Sequence, residues 1–276
     1  MLDARVSEIS RRLRARADVI LGVVWYTPEA RDGYPGLACS PSVASLATRA
    51  ACLGRVRGAA VAAIFATIEP ETVARAIDTA WEVASPETFL AARLDASVRA
   101  LRSVIDDDTG VERAVELLRG PIDHLDPAGH PMFAALSALP WPGTPLGDLW
   151  RACDMVREHR GESHVNAWVA AGLNPVEINV LSELWRKVPL GSVTMMQMGW
   201  SRNDLDVALQ ALKARHLVAG NELTDEGRRF REAIEHATDT QQAPLVDALG
   251  DDAEELLALL DPWARAIATN VIRRPS

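Results

Sequence analysis

The chain has too few cysteines for a disulfide framework. Cys39, Cys52 and Cys153 are odd in number and form no CxxC pair, so they read as buried thiols of a reducing cytoplasm. No run approaches 18 apolar residues, and the opening segment MLDARVSEISRRLRARAD is charged throughout, so neither a membrane span nor a secretory leader is expected. The expectation is a soluble, cytoplasmic protein. Also missing are HExxH, a phosphate loop, GxGxxG and GxSxG. His159 and His164 stand five apart across a glycine, with no carboxylate cluster in ligand spacing beside them, and His124 and His130 fall in a loop. No metal is expected, and the sequence names no cofactor.

What is present is bulk. The 276 residues are 48% hydrophobic, enough to build one large core or two ordinary ones. A net charge of −9 disfavours nonspecific attraction to nucleic acid or anionic membrane. Eight tryptophans stand against two tyrosines and four phenylalanines, and while most are expected in the core, several together can wall a pocket for a flat ligand.

One stretch organises the rest. Ile178, Leu181, Leu184, Trp185 and Val188 recur at helical spacing until Pro189 and Gly191 stop them. Ser201 then stands as an N-cap with Asp204 three residues on, and Leu205, Ala208, Leu209 and Leu212 make one apolar face. Two short β-favouring pairs flank Gly220-Asn221, and Thr224 opens another helix. Helix, turn, helix, hairpin, helix is a winged helix-turn-helix, and this stretch resembles the MarR family of regulators. DNA binding needs cations at phosphates. The presumed recognition helix instead carries Asp204 and Asp206, and the hairpin is too short to reach a groove and has no basic tip. DNA is therefore disfavoured as a partner.

Comparing the two halves exposes a weak repeat. The run before Pro41 matches that before Pro175 at an offset of 134, and the run from Glu69 matches that from Trp200 at about 131. Because MarR-like proteins are two-fold dimers, the resemblance implies a mainly α fold in which tandem winged helix-turn-helix repeats form an intramolecular pseudo-dimer with short hairpin wings. The expected boundaries are 1–135 for a degenerate repeat and 136–276 for the MarR-like one, with Met132 to Leu149 joining them, and either a monomer or a weak homodimer. Further helices are expected over 5–25, from Ser40 to Leu53, 68–81, from Ser85 to about Ile105, and 109–118, with 61–65 either helix or strand. Pro28 to Gly33 reads as a turn or short helix, 106–110 as a solvated break, and a last helix as running to Ile272. A helix from Leu146 is expected to end at Gly161, with Ser163 capping a new one.

The densest polar cluster, Arg157-Glu-His-Arg-Gly-Glu-Ser-His164, carries the candidate site. One reading pairs Arg160 with Glu158 or Glu162 to tie the halves together. The other makes His159, Arg160 and His164 the polar floor of a cavity between the halves, walled by Tyr26, Phe65, Trp150 and Trp168, for a small aromatic or apolar ligand. A triad of Cys153, His159 and Glu158 is disfavoured because all three share one helix. Tyr26-Thr-Pro-Glu29, Leu139-Pro-Trp-Pro142 and the polar cluster together resemble the tandem, SalK-like group of MarR-like proteins over nearly the whole chain. That resemblance implies fold more than activity. The chain departs from the group's pattern at Glu69, where histidine is frequent. The functional expectation is a ligand-binding sensor or sequestering protein that has lost DNA binding. The alternatives are a MarR-type regulator contacting DNA through Arg11, Arg12, Arg14 and Arg16, or a cofactorless enzyme using His159 or His164 beside Arg160.

Overall fold

The computed structural model describes residues 4–28, 32, 34–105 and 108–269. Most of the turn expected at Pro28 to Gly33, with Glu29 of its motif, the first acidic pair of the 106–110 break and the tail of the last helix to Ile272 lie outside them. Among the described residues the chain is mainly helical with one two-stranded sheet. The helices are α1 (Ala4–Gly22), α2 (Pro41–Ala50), α3 (Gly58–Phe65), α4 (Pro70–Val83), α5 (Pro86–Arg102), α6 (Val111–Ile122), α7 (Pro131–Ser137), α8 (Pro145–Ala170), α9 (Pro175–Arg186), α10 (Arg202–Ala214), α11 (Asp225–Thr240), α12 (Ala243–Leu249) and α13 (Ala253–Ile267). Strands β1 (Val218–Ala219) and β2 (Glu222–Leu223) pair antiparallel between α10 and α11. Proline at the first position after a polar cap starts α2, α5 and α9, where the missing N–H is no loss. None of the described helices is long and apolar enough to cross a membrane.

The chain forms two compact units. Unit 1 comprises Met1–Val56, Ala76–Glu162 and Asp239–Ser276; unit 2 comprises Arg57–Arg75 and Ser163–Thr238. The 135/136 boundary expected from sequence falls inside α7, within unit 1.

In unit 1, α1 lies along α12 and α13, α2 against α5, and α6 against α12 and α13. Leu13, Ile20, Phe89, Leu101, Leu118, Ile122, Met132 and Leu149 are fully enclosed. Trp81 meets Phe89 edge-on and donates its indole N–H to the Val56 carbonyl at 2.7 Å. In unit 2, Ile178 and Leu181 of α9 and Leu205, Ala208, Leu209 and Leu212 of α10 share one core with Leu217, Leu223 and Ile234. Gly58 crosses the α4 backbone so closely that a Cβ would fall 2.1 Å from the Ala74 carbonyl oxygen.

Sequence periodicity misplaces one boundary that matters. The helix does not end at Gly161: α8 is continuous to Ala170, and Ser163 is buried in its interior rather than capping a new helix. A Cβ at Gly161 would meet open space, so the glycine marks neither a turn nor a close approach, and a lone interior glycine costs only about 1 kcal/mol. Residues 61–65 resolve as helix. The connector is shorter than expected, since Pro145 already begins α8 and α7 occupies part of the span.

Candidate functional site

In unit 1, α8 is buried at nearly every position from Leu146 to Arg160, so the charges on it need partners. Arg49 of α2 grips Glu158 with two bonds of 2.8 Å, and Arg157 adds one of 2.7 Å. Burial opposes ionisation of Glu158, but the Arg157 and Arg49 guanidiniums overcome it and hold the carboxyl below its usual range. Arg160 meets Asp239 at 2.9 Å, a partner sequence spacing does not suggest, and Arg11 of α1 reaches the same carboxylate at 2.7 Å. Glu162 accepts the backbone N–H groups of Met132 and Phe133 at 2.7 and 3.1 Å, closing the N-terminus of α7. Burial pushes its pKa up to about 7 against those two donors.

His159 is 1% exposed and stacks on His130 with ring centroids 3.9 Å apart. Phe133 meets it edge-on, and the Gln242 amide contacts Nδ1 at 3.0 Å. Burial, reinforced by the His130 ring, drives its pKa down to about 4, so the imidazole is neutral at pH 7. Trp150, on the same helix, donates to the Leu21 carbonyl at 3.3 Å. Tyr26 is 45% exposed.

The remaining expected site residues belong to unit 2. His164 contacts the Thr238 hydroxyl at 3.2 Å and lies 3.8 Å from Glu235, which Arg231 pairs at 2.7 Å. Phe65 is buried on α3, and Trp168 is buried in the unit 2 core, its indole N–H without a hydrogen-bond partner among the described residues. Thus the structure joins Trp150, His159 and Arg160 on α8 in unit 1 and assigns Phe65, His164 and Trp168 to unit 2. A cavity of about 420 Å³ in unit 1 is lined by Glu112, Arg119, Thr144 and Asp148 among others, and one of about 340 Å³ in unit 2 by Leu184, Lys187, Asn221 and Arg228 among others. None of the seven expected residues lines either.

The helix-turn-helix forms as the sequence indicates. Asn174 and Glu177 make a capping box on α9, Ser201 and Asp204 another on α10, and β1 pairs with β2 across Gly220-Asn221. The turn between α9 and α10 is held by a residue that sequence reasoning missed. Glu183, fully buried, accepts the N–H groups of Gly191, Val193 and Thr194 at 2.6 to 2.8 Å. A lone glutamate inside an apolar helix repeat was the available signal. The outer face of α10 presents Arg202, Asn203, Asp206, Val207 and Gln210. Two of unit 2's acidic groups, Asp204 and Glu69, are spent on helix starts: Glu69 accepts from the backbone N–H groups of Glu71 and Thr72.

The segment before α4 pairs with the segment before α10. The Glu69 N–H donates to the Met198 carbonyl at 2.8 Å, and the Trp200 indole N–H donates to the Thr67 carbonyl at 2.8 Å. A shift of 131 carries Thr67 onto Met198 and Glu69 onto Trp200, so the two contacts exchange places under it.

These elements define a helix-turn-helix protein. The model of a helix-turn-helix family matches residues 10–273, nearly the whole chain, and the chain belongs to that family. Neither a curated protein nor a solved structure matches it.

Proposed function

We propose that the chain is a tandem, MarR-like pseudo-dimer that has given up palindrome reading and works by binding a small molecule. The reciprocal pairing of 67–69 with 198–200 carries this reading. A two-fold interface is recognised by residue i touching j while j touches i, and here both partners come from one chain. In unit 1, α6 and α12 pack together and start within one residue of the same offset, which supports the same duplication. The halves 1–135 and 136–276 are then repeats by descent, with each compact unit drawing residues from both.

The same pairing argues against DNA. A two-fold reader presents two recognition helices about 34 Å apart, one helical turn of duplex. Glu69 immediately precedes α4 and Met198 stands four residues before α10, so chain geometry keeps the two helix starts within about 20 Å. Charge agrees: unit 2 holds ten Arg and Lys against eleven Asp and Glu. A chain that binds as one pseudo-dimer needs no second copy.

His159, Arg160 and His164 each have protein partners, so we read them as positioning α8 and α11 rather than as an acid–base pair, which disfavours the enzyme alternative. Of the seven expected ligand residues, Trp150 is the one we retain beside a binding site. Two titrations test the function. Fluorescence anisotropy with labelled duplexes, including the promoter of the chain's own gene, is expected to show no sequence-dependent binding at low salt; a salt-sensitive, sequence-specific complex overturns the reading. Tryptophan fluorescence is expected to respond saturably to a small aromatic compound such as benzoate or indole. A flat titration across such compounds overturns the ligand-binding half.

A further inference from the structure

Unit 1 contains a buried guanidinium that is incompletely hydrogen-bonded. Arg151 of α8 is 7% exposed, and its Nε and Nη1 are buried with no hydrogen-bond partner among the described residues. Arg93 of α5, 4% exposed, is near enough to repel it, with its Nη2 3.5 Å from Asp154 Oδ1 and its Nε without a hydrogen-bond partner among the described residues. Asp154 Oδ1 accepts no hydrogen bond among the described residues. The Arg93 guanidinium also lies over the Trp150 ring, 5.3 Å from its centroid.

The other groups facing this cluster do not complete it. Asp148 is engaged by Arg119 at 2.7 Å and by the Gly143 N–H at 2.8 Å. Glu158 is taken by Arg49 and Arg157. The Cys52 thiol is pushed by burial up to about 12 and stays uncharged. Two buried arginines therefore share one carboxylate, and burial pushes even that one toward its neutral form. A buried charge without a partner costs several kcal/mol, and buried charges are as a rule paired, so a bound anion would relieve the cost here.

We propose that Arg151 together with Arg93, the latter lying over Trp150, forms a binding site for a monoanionic oxyanion, the carboxylate of a small organic acid or an inorganic ion of the same charge. A guanidinium offers planar, charged N–H donors to such a group, and on Arg151 those of Nε and Nη1 are the ones left without a partner among the described residues. Arg93 comes from the first sequence half, and Arg151 and Asp154 from the second, so the anion joins the two repeats inside unit 1. The inference deepens the ligand-binding reading, giving it a place and a chemistry.

The test is thermal unfolding of the full chain at fixed ionic strength, with bulky gluconate exchanged for benzoate, acetate or nitrate. The expected result is a saturable rise in Tm, about 5 °C at a hundredfold excess over Kd. Response to benzoate and acetate but not nitrate identifies an organic acid, and the reverse identifies an inorganic ion. Arg151→Met is expected to abolish the response while matching or exceeding the parent's Tm in gluconate, because the isolated cation is gone. Should that variant fail to fold, Arg151→Lys, which keeps the charge and loses the fork, is expected to raise the half-saturating concentration tenfold or more. An unchanged Tm across the anions, or an Arg151 variant with the parent's response, overturns the site. If fluorescence still responds to uncharged indole in that case, only the anion site falls; if it does not, the ligand-binding reading falls with it.

Discussion

Glu158 and Glu183 are both buried glutamates on helices, one in unit 1 and one in unit 2, and they are stabilised by different means. Glu158 faces arginine side chains from α2 and α8, whereas Glu183 faces three backbone N–H groups of the turn it precedes. The pattern extends beyond them. Unit 1 is a lattice of ion pairs, such as Arg160–Asp239–Arg11, and carries nineteen Arg and Lys against twenty-seven Asp and Glu. Unit 2 uses carboxylates mainly to finish helix ends and turns, as at Glu69, Glu177 and Asp204, and is nearly neutral. An arginine partner can be exchanged or left over, and Arg151 is left over. A backbone partner cannot be exchanged, so Glu183 fixes a turn, and all three of its donors come from the chain itself.

The largest effect expected from this contrast is at Glu183. Replacing it by alanine strands three buried N–H groups, each costing about 1–3 kcal/mol, so a loss of about 4 kcal/mol or more is expected in urea unfolding followed by fluorescence. A loss below about 1 kcal/mol would mean that water replaces the carboxylate and the contrast is false. Asp239→Asn comes next. It leaves Arg160 buried against a neutral amide, and removing one partner of a buried pair costs about 3–5 kcal/mol; Arg11 is partly exposed and finds water, so the lower end is expected. Retained stability would show that Arg160 is satisfied without Asp239.

The third effect is a matter of pH. His159 is depressed to about 4 in the folded chain, so its contribution is present above its unfolded value near 6.5 and is lost as pH falls toward 4. Glu162 is raised to about 7, so its contribution is present below its unfolded value near 4.5 and is lost as pH rises toward 7. Between about 4.5 and 6.5 the two slopes oppose, each on the order of 3 kcal/mol over its full range. Glu162→Gln is expected to unmask His159: the variant should lose stability more steeply than the parent as pH falls through this window. Parallel slopes would remove Glu162 from the balance.

Legibility followed the range of the interactions. The helix-turn-helix could be read because its determinants are local: the Ser201–Asp204 cap, the Leu205 to Leu212 stripe and the two-residue turn at Gly220 lie within a few residues of what they control. Continuity through Gly161 could not, because whether a glycine breaks a helix depends on what holds its neighbours, and here His159, Arg160, Glu162 and Ser163 are all buried on either side of it. At the candidate site, the polar run 157–164 was visible as an anomaly, but its partners Arg49, His130, Asp239 and Gln242 lie 29 to 109 residues away with no periodicity to link them. Arg93 and Arg151 carry no signal in sequence, since a surplus cation shows only when every neighbour's partner is known.

The smallest expected change bears most directly on what unit 2 does. Asp206 is exposed on the outer face of α10, so Asp206→Arg should alter stability by no more than about 0.5 kcal/mol. It moves the charge of a nearly neutral unit by two in the direction DNA favours. If acidity alone had silenced the helix, this one substitution would restore sequence-dependent binding to duplexes with half-sites one turn apart. If the close approach of the segments before α4 and α10 is the obstacle, the variant gains only weak, sequence-independent attraction, with a logarithmic salt slope of about −1 to −2 for the one or two phosphates added. Anisotropy across a salt series separates the outcomes: charge sets how strongly a surface attracts phosphate, whereas the spacing of two helix starts decides whether successive grooves can be read at all.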